Sequence, residues 1–171
     1  YDLGVHEPMT IMWPARVKAG RKASDFVSFI DFAPTFLEVA GIKPPAGMSG
    51  SSLMQILDSK KSGRIEANRN SIITGLEWHG EFDPVSKSSR SIRDDRFAYI
   101  VFYNNVDEKG LVLTKKEAIK PAKVEFYDLE NDPWQLNDLS DNPDYADEMQ
   151  RLANKFRQYG MLTKDPRVTG E

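Results

Sequence analysis

The polar run 58–70 constrains this chain more than any other stretch, because it carries no apolar periodicity and the patterns on its two sides differ in kind. Before it, Gly and Pro punctuate short apolar segments and helix signals. After it, β-rich segments recur at short intervals. A chain broken in this way is expected to fold as two subregions. We place the first over residues 1–58 and the second over 71–160, with 161–171 as a trailing tail. The 171 residues suffice for one ordinary domain, or for a small domain plus a strip of a larger one.

In the first region Met9-Thr-Ile-Met-Trp13 is short, apolar and bounded by Pro8 and Pro14, which suits a buried strand with neighbours on both sides. Residues 16–24 are basic and loop-like, and 26–30 read as a short strand or the lead-in to a helix. That helix is predicted to start at Asp31, a good N-cap residue, to tolerate Pro34 in its first turn and to stop at Gly41. Phe32, Phe36, Leu37 and Ala40 form its expected apolar stripe. A Pro/Gly-rich loop follows, and then a short helix from Ser51 or Ser52 that buries Leu53, Ile56 and Leu57.

In the second region, residues 71–76, 90–93, 97–103 and 124–129 are rich in β-branched and aromatic residues and predict antiparallel strands, with Asp94-Asp95 as a tight connection. Asn142-Pro143 opens a helix that is acidic early and basic late, in accord with the helix dipole. Tyr145, Met149, Leu152 and Phe156 give it one apolar face to pack on the sheet, and Gly160 is expected to end it.

A formal net charge of −3 leaves no global footprint for nucleic acid or an anionic membrane, and neither is expected as a partner. No apolar run is long enough to span a bilayer. Without cysteine the chain has no disulfide, thiol nucleophile or thiolate metal site, and its compartment is left undetermined.

The stretch Glu77-Trp-His-Gly-Glu81-Phe-Asp83-Pro84 follows a predicted strand and holds one of two histidines. A Trp beside a His and carboxylates can stack on a sugar and hydrogen-bond its hydroxyls, which makes Glu77, Trp78 and His79 candidate substrate contacts; an ordinary surface loop is the alternative. On a strand Glu77, His79 and Glu81 would share a face, yet zinc sites draw Cys or His from separate turns, and no metal is assigned here. Of Lys87, Arg90, Arg93 and Arg96, Arg90 shares a strand face with Ile92 while Arg93 points oppositely, so the four do not make one patch. Arg90 is the candidate for an anionic polysaccharide, with solvated edge-strand charge as the other reading. Asp128, Glu130 and Asp132 lack the mid-loop Gly and terminal Glu of a calcium-binding hand and read as a strand followed by an Asp-Pro turn.

Three segments taken as a set carry a resemblance: Tyr1-Asp-Leu-Gly-Val-His-Glu-Pro8 with Trp13-Pro14, Asp31-Phe-Ala-Pro-Thr-Phe-Leu-Glu-Val-Ala-Gly41, and Glu125-Phe-Tyr-Asp-Leu-Glu-Asn-Asp-Pro133 followed by Asn137 and Leu139. Together they resemble the C-terminal third of the sulfatases of the alkaline-phosphatase-like superfamily, over residues 1–158. The chain departs from that pattern at His6, where Arg is usual, and at Gln135, where Glu is usual. The Glu77-to-His79 stretch, Arg90-Ser-Ile-Arg93 and Lys164-Asp-Pro166 look similar to the heparan N-sulfatase (sulfamidase) branch more than to arylsulfatases.

The resemblance implies an α/β fold: the edge of a large mixed sheet plus a four-stranded antiparallel sheet packed by a C-terminal helix. It implies that 1–58 ends a catalytic domain whose N-terminal part is the missing partner, and that the parent hydrolyses a sulfate ester or sulfamate on a sulfated saccharide. The parent would use calcium and a formylglycine made from Cys or Ser in a Cys/Ser-x-Pro-x-Arg motif. That motif is absent here, so no catalytic residue, metal ligand or cofactor is assigned to this chain, and export of the parent is an expectation of the family. His6 would lie at the rim of the sulfate pocket, as a switchable donor or acceptor, or else be a turn residue. Glu7 has no adjacent partner for acid–base work and is read as structural. Two rival readings stay open: a stand-alone carbohydrate-binding or interaction module, and a phosphatase or phosphonate hydrolase of the same superfamily.

Overall fold

The computed structural model describes residues 1–76, 88–104 and 120–169. Its contacts divide the chain into two compact units, residues 6–72 and residues 1–5 with 73–171.

The 6–72 unit is built around helices α1 (Phe32–Val39) and α2 (Met54–Asp58). Leu53, Met54, Ile56 and Leu57 are buried and take Trp13, Val17, Val27, Phe32 and Ile65 against them. The short helix expected from Ser51 or Ser52 starts later, at Met54 with Leu53 as its N-cap, and turns Leu53, Ile56 and Leu57 inward as the spacing required. Polar bonds hold the rest. Asp31, 5% exposed, accepts from the Ser28 and Ser51 amides at 3.0 and 2.8 Å and from Arg69 Nη1 at 2.8 Å. Arg69 also reaches Glu66 at 2.6 Å and the carbonyls of Ser51 and Ser52. Asp31 therefore tethers a loop and a distant arginine rather than capping α1 with its side chain.

Two expectations fail in this unit, one of them in part. The expected stripe of α1 is met only in part: Phe32 packs on the core, but Phe36 is 68% exposed, whereas Pro34 and Thr35 are buried. Thr35 turns inward because its hydroxyl donates to the Asp31 carbonyl at 2.5 Å and accepts the Leu53 amide at 2.9 Å, leaving Phe29, Phe32 and Phe36 as a tilted aromatic row. Residues 9–13 form no strand; Met12 is 86% exposed. A strand needs a ladder partner, and among the described residues none pairs with this segment. Gly41 does end α1, at φ +75, with its amide on Glu38 and that of Ile42 on Leu37.

The other unit is a sheet of β1 (Ile72–Leu76), β2 (Ser88–Arg93), β3 (Phe97–Tyr103) and β4 (Pro121–Asp128), which lie in that order. The β2–β3 and β3–β4 pairs are antiparallel, and Asp94 makes the β2–β3 turn by accepting the amides of Arg96 and Phe97. Helix α3 (Ala146–Thr163) covers one face. Its Leu152 and Phe156 enter a core with Ile92, Phe97, Val101, Tyr103 and Phe126, flanked by Tyr145 and Met149 as the apolar spacing required. Burying each of those two helix side chains stabilises by about 1.5–3 kcal/mol. Ala98, Ile100 and Tyr127 form a second cluster, on the other side of β3 and β4 by strand alternation.

Gly160 does not end α3. The helix runs on to Thr163 and stops at Lys164, whose φ of 54 directs its amide to the Gly160 carbonyl. Gly160 is needed for packing instead: a Cβ there would lie 2.1 Å from Val168 Cγ1. Residues Pro166–Thr169 form helical turn α4, folded back on α3, where a trailing tail was expected.

Candidate functional site

The register pairs Ser88 with Tyr103 and Tyr103 with Pro121, so the start of β2, the end of β3 and the start of β4 lie side by side. In sequence, residues 77–87 lie between β1 and β2. Glu77, Trp78 and His79, with Glu81, Asp83 and Lys87, lie outside the described residues. His6 is exposed and belongs to the 6–72 unit, whereas Arg90 belongs to the sheet unit.

Arg90 is described in detail. Its side chain lies across Gly75 of β1, where an added Cβ would sit 2.9 Å from Arg90 Cδ and 3.0 Å from Nη1. Nε donates to Asp165 Oδ2 at 2.6 Å, and Nη1 donates to the Ser89 carbonyl at 3.0 Å. Asp165 is itself held, accepting the Arg167 amide through Oδ1 at 3.0 Å and donating its own amide to the Gly160 carbonyl at 3.1 Å. Arg167 reaches Ser88 Oγ at 3.0 Å and stacks over Tyr103, 5.4 Å from the ring centroid. Burial pushes the Tyr103 hydroxyl up to about 12, and the Asp165 charge adds to the rise. At this end of the sheet stand two guanidiniums in fixed orientation beside a phenol that stays protonated. That arrangement suits binding and orienting an anion rather than making or breaking bonds.

The other two described arginines of the basic set are held elsewhere. Arg93 pairs with the Asp2 carboxylate, and Arg96 makes a two-pronged bond to Asp128 at 3.1 and 2.7 Å. Arg90 and Arg93 thus engage different partners from opposite strand faces, as alternation required.

On the Tyr127 side of the sheet, Glu125, 6% exposed, accepts from the hydroxyls of Tyr1 and Tyr127 at 2.8 and 2.9 Å and from Lys123 at 2.6 Å. Burial raises its pKa, but the bonds from Lys123, Tyr1 and Tyr127 outweigh that and hold it below the usual carboxylate range. Gln135, at φ 55, turns its side chain to accept the Asp2 amide at 2.7 Å. Gln135 thereby anchors residue 2, a bond that a Glu carboxylate could equally accept. Sequence reading missed this clasp and the Arg90–Asp165 pair because their partners lie 124 and 75 positions apart. The resemblance segments that hold Tyr1, Glu125, Gln135, Arg90 and Lys164-Asp-Pro166 touched these residues without pairing them.

Among the described residues no three His, Asp or Glu side chains converge to hold a metal ion. The buried carboxylates Asp31, Glu125 and Asp128 are committed to guanidinium, ammonium, hydroxyl and amide donors. These residues do not fit a calcium site, and no chemistry is derived through one.

A solved structure of a protein in complex with its substrate D-glucosamine-2-N,6-O-disulfate superposes with a TM-score of 0.73 at 28% identity, covering 91% of this chain and 28% of that one. The family described as N-sulphoglucosamine sulphohydrolase, C-terminal, matches residues 1–161, and the chain belongs to it. An ulvan-active sulfatase of Formosa agariphila is 31% identical over 168 residues, covering 88% of this chain and 32% of the relative. An N-acetylglucosamine-6-O-sulfatase of Bacteroides thetaiotaomicron is 30% identical over 158 residues, covering 92% and 25%. The chain spans about a third or less of the length of the curated relatives it matches.

Proposed function

We propose that this chain is the C-terminal part of a sulfatase that hydrolyses sulfate ester or sulfamate groups on a sulfated saccharide. In this reading Glu77, Trp78, His79 and Arg90 are substrate contacts of the sheet unit, and His6 is a separate substrate-contact candidate in the 6–72 unit. The nucleophilic formylglycine and the calcium belong to an N-terminal catalytic domain. The observation that carries the reading is the family match over residues 1–161, joined to relatives named for sulfated sugars. The absence of cysteine and of a Ser-x-Pro-x-Arg motif in these 171 residues supports the division of labour.

The test is sulfate release by the full-length protein from N-sulfated glucosamine, 6-O-sulfated glucosamine and 4-nitrophenyl sulfate, beside release of phosphonate from an aryl phosphonate monoester. Sulfate release, abolished by calcium chelation and absent from the 171-residue chain alone, is the expected result. Phosphonate turnover without sulfate release would overturn it in favour of the other branch of the superfamily. Turnover by the isolated chain would overturn the assignment of the nucleophile.

A further inference from the structure

We propose that Asp165 is a positioning residue for the saccharide, acting through Arg90. The proposal rests on the reading above, in which Arg90 faces the substrate. Three separate features fix the Arg90 side chain along its length. Gly75 leaves the gap it crosses, the Ser89 carbonyl takes Nη1, and Asp165 takes Nε at 2.6 Å. An arginine so held loses little rotamer freedom when it meets an anion.

The C-terminal turn is built to present that carboxylate. Lys164 takes a left-handed φ of 54, a conformation that side chains other than Gly adopt at a cost, and so reverses the chain after α3. Val168 then seats on bare Gly160, and Arg167 bonds Ser88 and covers Tyr103. Both oxygens of Asp165 are thereby directed, Oδ1 to the Arg167 amide and Oδ2 to Arg90. The Arg90 and Asp165 side chains are 14% and 20% exposed, so the pair is shielded enough for its geometry to be firm and still touches solvent.

The experiment uses the full-length enzyme, whichever sulfated glucosamine it turns over, and 4-nitrophenyl sulfate as a small substrate that does not reach Arg90. Asp165→Asn is expected to raise KM for the saccharide about three- to thirtyfold while leaving kcat and the aryl sulfate nearly unchanged. Asp165→Glu should recover part of the loss. Arg90→Ala should raise the saccharide KM at least as much, and the double variant should be no worse than Arg90→Ala. Additive losses, or equal losses on both substrates with a lowered Tm, would overturn the positioning role of Asp165. Arg90→Ala without effect on the saccharide would instead sink the substrate-contact reading of Arg90.

Discussion

Tyr1 donates its hydroxyl to Glu125 across a sequence separation of 124 residues, at 2.8 Å, and its ring meets that of Tyr127 edge-on at 6.0 Å. Glu125 is the shared acceptor of a clasp that also holds Lys123. Glu125→Gln keeps the shape and removes the charge. It should cost about 1–3 kcal/mol, the range for a charge-assisted bond among partly buried groups. Urea unfolding and amide exchange at Asp2 check this. An unchanged midpoint with unchanged exchange would mean that the clasp contributes nothing.

Asp128 gives the sheet an acid limit. The Arg96 guanidinium, with help from Asn131 and the Glu130 amide, lowers its carboxyl from 3.8 to about 2. A carboxyl whose folded pKa is depressed stabilises fully above its unfolded pKa and loses that stabilisation as protons bind the folded form. Stability should therefore fall between about pH 4 and pH 2, by about 1–2 kcal/mol after allowance for the exposed guanidinium. Asp128→Asn should flatten that part of the pH profile; an identical slope in the variant would assign the acid limit to other groups.

Gly160→Ala should destabilise, although alanine favours a helix by about 1 kcal/mol over glycine. The new methyl would meet Val168 Cγ1 at 2.1 Å and Cβ at 2.3 Å, forcing the terminal turn off α3 at about 1–3 kcal/mol. Because Val168 Cβ is itself too close, Val168→Ala should not rescue the variant whereas Val168→Gly should in part. Thermal melts of the four proteins separate these outcomes, and a rise in Tm for Gly160→Ala would show that the turn is not seated on the helix.

His79→Ala in the full-length enzyme should reduce kcat/KM for the sulfated saccharide by about threefold to a hundredfold, one hydrogen bond's worth, and spare a small aryl sulfate. Equal losses on both substrates would place His79 at the sulfate or in the fold. No loss on either would return it to ordinary surface.

Elements whose cause is local were legible in the sequence. Alternating β-branched and aromatic residues marked β3, with the bounds Phe97–Tyr103 as read, and β4 to within three residues at its start. The spacing of Leu152 and Phe156 gave the buried face of α3, because a helix presents its own periodicity to whatever it packs on. Features decided by a distant partner were not legible. Nothing near Thr35 announces that Leu53 will need its hydroxyl, and nothing near Gly160 announces Val168. Residues 9–13 have the composition of a strand, but composition supplies no ladder partner. Of the candidate site, the opposite facing of Arg90 and Arg93 followed from alternation, while the carboxylates that hold them had to be seen.

The grouping of residues 1–5 with 73–171 also sets an order of events during synthesis. The 6–72 unit is continuous in sequence and is made before β2, β3 and β4. Tyr1 and Asp2 must wait, because Arg93, Glu125 and Gln135 are made long after them. Until β4 emerges, the sheet unit lacks its last strand and the opening residues lack their acceptor. Closing that long loop carries an entropic cost that the bonds of Tyr1 and Asp2 must outweigh.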